Sequence, residues 1–505
     1  MKRLLYILFL LPLGLNAQNM YNVASLFEND LSGTARYVGM GGSMSALGAD
    51  LSTIGTNPAG MAMYRSNDVS ITANVDIKTN TSNYLGTVME NSITNVGIGN
   101  ASFVVSLERE KSKLKYLNFG FAYRRKNNLA GVFSMDGMAD VYSQQYLMEQ
   151  IYREDSNPFN HKNVTAKDYN SFSYSWLTLL AANAKLSDAT EDNFLMDTAL
   201  IWVPDDIAYY EKTFGGVHTI DLNLSANVDD RIYLGATVGV STVDYNHYSE
   251  YREADSYGDI YLLENNRYIK GSGLDIKLGA IFRPFKYSPF KVGLSVHTPT
   301  WYSLSEYSSA TIVGPNGHTA STLDPDCYDG TLNIVESVNT PWRFNASMAY
   351  TFGTYLALNA EYEFADYSFS RYGSRGGVFK AQNEEIKLNM KAQHIARLGA
   401  EVNVEGFAVR TGYNYCTAPF EKGAYKEMFN ASIAETSTEY MNRFDKHIAT
   451  FGIGYRGKIM YCDFAYMLES QNAEFYPYKD YDEPNPGATV THTNHSVVAT
   501  IGVRF

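Results

Sequence analysis

The residue types that could do chemistry are few and widely spaced. Gly452-x-Gly454-x-x-Gly457 has the spacing of a dinucleotide fingerprint. That fingerprint works only where a strand leads into a helix whose N-terminus meets the pyrophosphate. Here period-two alternation flanks the motif on both sides, so it runs from strand through tight turn to strand, and nucleotide binding is rejected. Nine histidines are scattered along the chain. None pairs with another at ligand spacing on an evident element, and His492 and His495 lie in or beside a loop. The three cysteines, Cys327, Cys416 and Cys462, are far apart and odd in number. They form no Cys-x-x-Cys and read as isolated thiols. No Gly-x-Ser-x-Gly elbow and no His-Glu-x-x-His helix occurs. A lipase-type serine and histidine are available as residue types, but no spacing supports them. The expectation is no metal, no cofactor and no enzyme. The strongest local signal is Asn57-Pro58-Ala59-Gly60, after Ala46-Leu47-Gly48-Ala49-Asp50. Asn before Pro favours a turn, and Pro fixes the backbone there.

The elements that would carry these residues are strands. Apolar and polar residues alternate with period two from Val69 onward, as in Ile220, Leu222, Leu224 and Ala226 against Asp221, Asn223 and Ser225. Such runs predict fourteen strands, near 68–79, 95–107, 114–126, 216–227, 231–249, 259–283, 290–304, 336–351, 354–367, 393–404, 406–416, 445–456, 458–469 and 494–505. Fourteen is even, as a single-chain bacterial membrane barrel requires. The connections alternate. Short ones are Glu108–Lys113, Val228–Asp230, Pro284–Pro289, Gly353, Glu405 and Gly457. Long ones cover 80–94, 127–215, 250–258, 305–335, 368–392, 417–444 and 470–493. Short turns at one end and long loops at the other are expected of a transmembrane barrel and not of a sandwich. The final run, Val497 to Phe505, has Val497, Ala499, Ile501, Val503 and Phe505 on one face and Arg504 on the other, which suits a closing strand.

The N-terminus adds a compartment. Lys2 and Arg3, the apolar Leu4–Leu15 and the small Ala17 read as a cleaved secretory signal over 1–17. No other stretch is long and apolar enough for a membrane helix. The formal charge of −13 becomes −15 once Lys2 and Arg3 are removed. Nucleic-acid binding is therefore not expected. Forty tyrosines and 26 phenylalanines with only 19% charged residues suit aromatic girdles around a lipid-facing band.

The face opposite the apolar one is ionic: Asp221, Asp275, Lys277, Arg343, Glu361, Glu363, Arg397, Glu401, Arg410, Asp463 and Arg504. Buried charge must be paired or solvated, so a wet lumen laced with ion pairs is expected, serving the wall before any substrate. Residues 18–67 do not alternate and are rich in Gly and small residues. They predict a disordered leader or a plug, ahead of a barrel over 68–505. In the 127–215 insertion, helical character brings Trp176, Leu179 and Leu180 together. They read as a small loop core, or as an apolar landing site for a ligand.

Gly33-Thr34-Ala35-Arg36-Tyr37-Val38-Gly39-Met40-Gly41-Gly42, then Ala49-Asp50, then Asn57-Pro58-Ala59, resembles the N-terminal hatch of the FadL/TodX-type outer-membrane transporters for long-chain fatty acids and hydrocarbons. Pro341-Trp342-Arg343-Phe344, Arg397-Leu398-Gly399-Ala400-Glu401 and Val409-Arg410-Thr411-Gly412-Tyr413 add strand phrases of the same kind. The resemblance implies an all-β, fourteen-stranded barrel plugged by an N-terminal hatch. Loops would capture an apolar ligand, and a lumen pocket would hold it. Release would follow through a gap at a kinked strand that the Asn57-Pro58-Ala59 motif contacts. Gly97, Gly99 and Gly120 are candidates for the distortion, since glycine inside a strand marks bulges. The implied setting is the outer membrane of a Gram-negative bacterium, reached through its insertion machinery, with a hydrophobic small molecule and surrounding lipid as partners and a monomeric state. Some relatives carry labels as haem receptors and others as secretion or assembly factors, so a docking barrel and a haem-type receptor remain alternatives.

Overall fold

Fourteen antiparallel strands close into a barrel. The structure is a computed structural model describing residues 20–28, 30–109, 112–138, 143–154, 160, 162–171, 173–186, 203–315, 317–324, 332–373, 379–428, 433–481 and 485–505. The signal segment and Cys327 lie outside them. Cys416 and Cys462 are free thiols, as expected.

In chain order the strands are β1 (Asp68–Tyr84), β2 (Thr87–Glu108), β3 (Leu114–Asn128, resuming at Gly131–Met138), β4 (Asp206–Val228), β5 (Ile232–Ala254), β6 (Ile260–Phe282), β7 (Lys291–His297, resuming at Trp301–Val313), β8 (Leu332–Asn339, resuming at Arg343–Phe352), β9 (Leu356–Asp366, resuming at Arg371–Gly373), β10 (Ala392–Val404), β11 (Phe407–Cys416), β12 (Tyr440–Arg456), β13 (Met460–Tyr476) and β14 (Ala488–Arg504). Each pairs with its chain neighbours, and β14 returns to β1 with Val503 opposite Val69. Pro299 and Pro341 account for the breaks in β7 and β8: proline has no N–H to give to a ladder.

The period-two pattern maps onto two faces. Ile71, Leu222, Leu398, Phe451 and Ile501 are exposed on the outside, while Asp221, Asp275, Arg410 and Asp463 are buried inside. An apolar exterior around a charged interior reverses the order of a soluble barrel.

The predicted strands all exist, but the long loops were drawn too long. Strands β1 and β2 run through 80–94 to a two-residue turn at Leu85-Gly86, both at positive φ (49° and 98°). The 127–215 insertion shrinks because β3 continues to Met138 and β4 begins at Asp206. Loops 250–258 and 470–493 shorten likewise. Above the apolar band both faces of a strand meet polar surroundings, so the alternation that marks a strand fades. The paired positive φ at Asp229-Asp230 and Glu405-Gly406 gives the tight turns of the other end their twist-matched hairpin geometry.

Candidate functional site

The N-terminal segment packs against inward-facing wall residues. It contains helices α1 (Met20–Phe27) and α2 (Ala35–Gly39) and the 3-10 turns Leu51–Gly55 and Pro58–Met63. Its polar groups bond to strands all round the ring. The Ala35 amide donates to Thr500 Oγ1 at 2.7 Å, Ser43 Oγ to the Asn359 carbonyl at 3.1 Å, Thr450 Oγ1 to the Gly39 carbonyl at 3.1 Å, and Asn118 Nδ2 to the Met61 carbonyl at 2.7 Å. Lys291 Nζ donates to the Leu47 carbonyl at 2.7 Å.

Two glycine sockets let backbone meet backbone. On one side, a Cβ at Gly235, Gly279 or Gly293 would run into Asn57, Pro58 or Ser45. On the other, a Cβ at Gly399 or Gly412 would strike Met40 or Gly41, and one at Gly452 would stand 3.2 Å from Gly39 Cα. Asn57 is fully buried. Its Oδ1 accepts from the Ala59 amide at 3.1 Å, and its Nδ2 donates to the Ser45 carbonyl at 3.0 Å. Pro58 opens the 3-10 turn at its first position, where its missing N–H costs nothing. The Asn57-Pro58-Ala59 turn therefore seats on β5, β6 and β7. Gly452 of the rejected dinucleotide motif is a socket residue.

Every inward charge named from the sequence is paired. Glu401 accepts from Arg36 Nε at 2.8 Å and from Arg410 Nε at 2.6 Å, and Arg410 reaches Asp463 at 2.6 Å. Arg397 bridges Glu361 and Glu363, and Glu363 also takes Arg343. Asp221 takes Arg124 and Lys277, and Lys277 also takes Asp275. Arg504 closes on Asp68 at 2.8 Å. Arg36 ties the belt to the N-terminal segment.

Among the described residues, the longest stretch of strand left without a partner lies between β2 and β3. Pairing of β2 with β3 spans only Asn100–Glu108 against Tyr116–Arg124. Beyond it, Thr87–Gly99 keeps β1 on one edge and has no strand on the other. Two bulges mark the departure. Asn100 faces Thr72 and Ile98 faces Ala73, which leaves Gly99 as the extra residue of β2. Arg125 faces His218 and Asn127 faces Val217, which leaves Lys126 as the extra residue of β3. Of the three glycines named from the sequence, Gly99 sits at the distortion. Gly97 pairs in register with Asn74. Gly120 pairs in register with Val104 and Asn223 and makes room for Met61. Side chains replace the missing ladder: Arg125 pairs with Asp76 of β1 and donates to Asn95 Oδ1 of β2 at 2.9 Å. The Gly131–Met138 arm passes behind β1 and β2, with Ser82 Oγ donating to the Ser134 carbonyl at 2.7 Å.

Beyond the 3-10 turns of the N-terminal segment the enclosed space is polar at first. A cavity of about 80 Å³ is lined by Thr56, Arg124, Lys126, Lys277, His297 and Arg343, among others. Lys126 has no carboxylate at ion-pair distance among the described residues; its ammonium donates to Tyr302 Oη at 3.4 Å. Higher, a chamber of about 230 Å³ has Tyr21, Phe133, Phe420 and Phe475 beside Glu28 and Arg267. An apolar ring lies at this level, and α1 fills it. Met20, Leu26 and Phe27 are buried among Tyr302, Leu304, Tyr367, Phe379, Ile386 and Phe420, with Phe27 stacked on Tyr302 at 4.4 Å.

The long-loop end is capped. Trp176, Leu179 and Leu180 of helix α4 (Trp176–Asn183) are buried with helix α3 (Gln144–Glu154), Tyr209, Tyr251, Phe475 and Tyr478. They are the core of the cap. Helix α5 (Lys380–Asn389), in the β9–β10 loop, closes over the apolar ring with Glu385 nearly buried. Burial, with Glu427 and Glu435 nearby, raises the Glu385 carboxyl to about 7, although the Glu427 amide and Lys426 oppose this. A carboxyl raised in the folded state stabilises docking fully below its free value and loses that contribution as pH climbs through about 7. Protection of the 379–392 amides, corrected for the intrinsic base-catalysed exchange rate, is expected to fall across that pH window in the native chain and to stay level in Glu385→Gln. Equal pH profiles would refute this.

No protein-family model matches the chain, and no curated protein sequence does. Solved structures do share its fold. The toluene transporter TodX of Pseudomonas putida matches with a TM-score of 0.55 at 13% identity, over 94% of this chain and 99% of that one. A FadL homologue from Pseudomonas aeruginosa matches at 0.53 and 12%, with the same coverage. The toluene transporter TbuX of Ralstonia pickettii matches at 0.50 and 12%, again over 94% and 99%. At these identities the likeness is one of fold.

Proposed function

We propose that this barrel is an outer-membrane channel for passive uptake of hydrophobic small molecules, with the β2–β3 gap as its side door. The observation that carries the proposal is an N-terminal segment packed inside the barrel beside the longest stretch of described strand left without a partner on one edge, Thr87–Gly99 of β2. The residue at the gap, Gly99, lines a small cavity with Leu31 and Val38 of the plug and Arg125 of β3. The apolar exterior, the shared transporter fold and the predicted signal support the location. The aromatic ring now filled by α1 is the seat for the ligand's apolar part, and burial there supplies ~25 cal/mol per Å². Lys126 below it favours a carboxylate-bearing amphiphile such as a long-chain fatty acid over a plain hydrocarbon. Trp176, Leu179 and Leu180 would meet a ligand only after the cap opens.

The test is uptake of labelled long-chain fatty acid and of a monoaromatic hydrocarbon by cells lacking the protein. Uptake unchanged by its loss ends this reading. Arg125→Ala removes the side-chain staple across the gap and leaves Asp76 with Asn74, Asn128 and Ser496. The loss is about 2 kcal/mol, and uptake is expected to rise severalfold while the barrel stays folded. A fall in uptake would place the exit elsewhere. The bare edge of β2 favours the docking-barrel alternative, for which a stable protein partner bound at Thr87–Gly99 would be required.

A further inference from the structure

Four of the nine histidines sit on the outer face in the same arrangement. Tyr123 Oη lies 2.8 Å from His218 Nδ1, Tyr362 Oη 2.6 Å from His394 Nδ1, Tyr413 Oη 2.7 Å from His447 Nδ1, and Tyr466 Oη 2.7 Å from His495 Nδ1. The tyrosine is always on an odd strand and the histidine on the next even one. The histidine always stands opposite the residue two beyond the tyrosine: Arg125, Phe364, Tyr415 and Leu468 respectively. Each histidine opens a run of four outward apolar residues, as His447 does with Ala449, Phe451, Ile453 and Tyr455. Eight residues at ~3.3 Å each, on a strand tilted by roughly 40°, span ~20 Å, close to the apolar height of a membrane barrel. The four pairs mark the long-loop rim of the apolar band.

The phenol is the stronger acid of each pair and the imidazole nitrogen the stronger base, so Tyr O–H donates to Nδ1. The neutral ring then carries its own proton on Nε2, where it is a donor pointing away from the wall.

A second observation lies under one pair. The outer face of β8 to β11 carries a groove of about 500 Å³. It follows the hydrogen-bond rows across four strands: Met348 opposite Ala360, Ala360 opposite Leu398, Leu398 opposite Tyr413, with the row from Tyr350 to Thr411 beside it. Ala360 and Ala400 hollow the floor between larger neighbours. The groove ends at Tyr413, whose hydroxyl meets His447. Asp445, close by, is occupied by Tyr415 Oη and the Ala418 amide.

We propose that this groove holds one acyl chain of a resident phosphate-bearing lipid, whose phosphate accepts from His447 Nε2–H. This rests on the membrane reading above. An apolar trough that ends in a fixed donor fits an amphiphile with an oxyanion at one end, whereas bulk acyl chains would fill the trough without using the donor.

The test uses the full chain in a maltoside detergent, with bound lipid counted by native mass spectrometry. Dioleoylphosphatidic acid is expected to bind once per chain, at least tenfold more strongly than dioleoylglycerol. His447→Phe should bring the two within threefold of each other. Ala360→Phe with Ala400→Phe should abolish both, and inorganic phosphate alone should neither bind nor compete. A shift in electrophoretic mobility on heating shows that each variant is a folded barrel. Equal binding to wild type and to folded groove variants, full competition by free phosphate, or no retained lipid in a folded barrel overturns the inference and leaves the transport reading standing. A chain that stays soluble without detergent overturns both.

Discussion

Glu401→Ala is expected to lower the resistance of the barrel to denaturant by about 3–5 kcal/mol. Glu401 is the shared anion between Arg36 of the plug and Arg410 of the wall, and all three side chains are at most about a tenth exposed. Removing it strands the Arg36 guanidinium, which keeps only the Ala49 carbonyl, and leaves Arg410 with Asp463 alone. A buried charge without a partner costs far more than the pair it belonged to contributes. Replacing the whole set, Asp463 included, by apolar residues of similar volume should cost much less, since no charge is then left over. The measurements are urea unfolding in detergent micelles and single-channel conductance of wild type, Glu401→Ala and a quadruple Arg36/Glu401/Arg410/Asp463 apolar variant. If the single variant is as stable as wild type, the belt does not fasten the N-terminal segment. If the quadruple variant is the least stable, the charges contribute more than specificity.

Deleting residues 18–29 is expected to raise the affinity of the lumen for an apolar fluorescent probe by about fivefold. Helix α1 occupies the apolar ring, so a ligand competes with it. Burying Met20, Leu26 and Phe27 stabilises the docked helix by about 1.5–3 kcal/mol for each side chain. Ordering eight residues costs about 1 kcal/mol apiece. The two nearly cancel, leaving about 1 kcal/mol at most, against the roughly 1.4 kcal/mol that a tenfold change in affinity needs. The apparent affinity falls by the fraction of molecules with the ring open. Titration of the probe against full-length and truncated protein decides it, with Phe27→Ala as a milder version. Weaker binding after truncation would mean that α1 is part of the seat.

The strand count, the order of the strands and the paired inward charges were legible because inside and outside differ so strongly in polarity. The lengths were not. Residues 80–94 read as a loop because neither face of the β1–β2 hairpin is consistently apolar there. The Asn57-Pro58-Ala59 turn was visible as a motif, but its sockets were not. Gly235, Gly279 and Gly293 lie in three different strands, and only the register aligns them. The signal was present, since each is an inward glycine in an alternating strand and glycine there permits close approach. The same rule named Gly97, Gly99 and Gly120, and of these Gly99 is the bulged residue of β2. Helix α1 escaped notice because eight residues are too few for a helical period to stand out from a small-residue leader. The Tyr–His pairs escaped because each joins two strands, and no spacing along one strand shows them.

The glycine sockets also dictate an order of assembly. Gly41 stands against the backbone of Gly412, and Pro58 against that of Gly235, on opposite flanks of the same segment. A plug gripped that closely on two sides, with a cap above it, has no path into a finished ring. It must be in place while the ring is still open, and the joining of β1 to β14 is then the last step, locking in the segment that β1 trails behind it. A ring refolded without residues 18–67 should remain hollow when that peptide is added afterwards, and a hollow ring that refills would show a way in from outside.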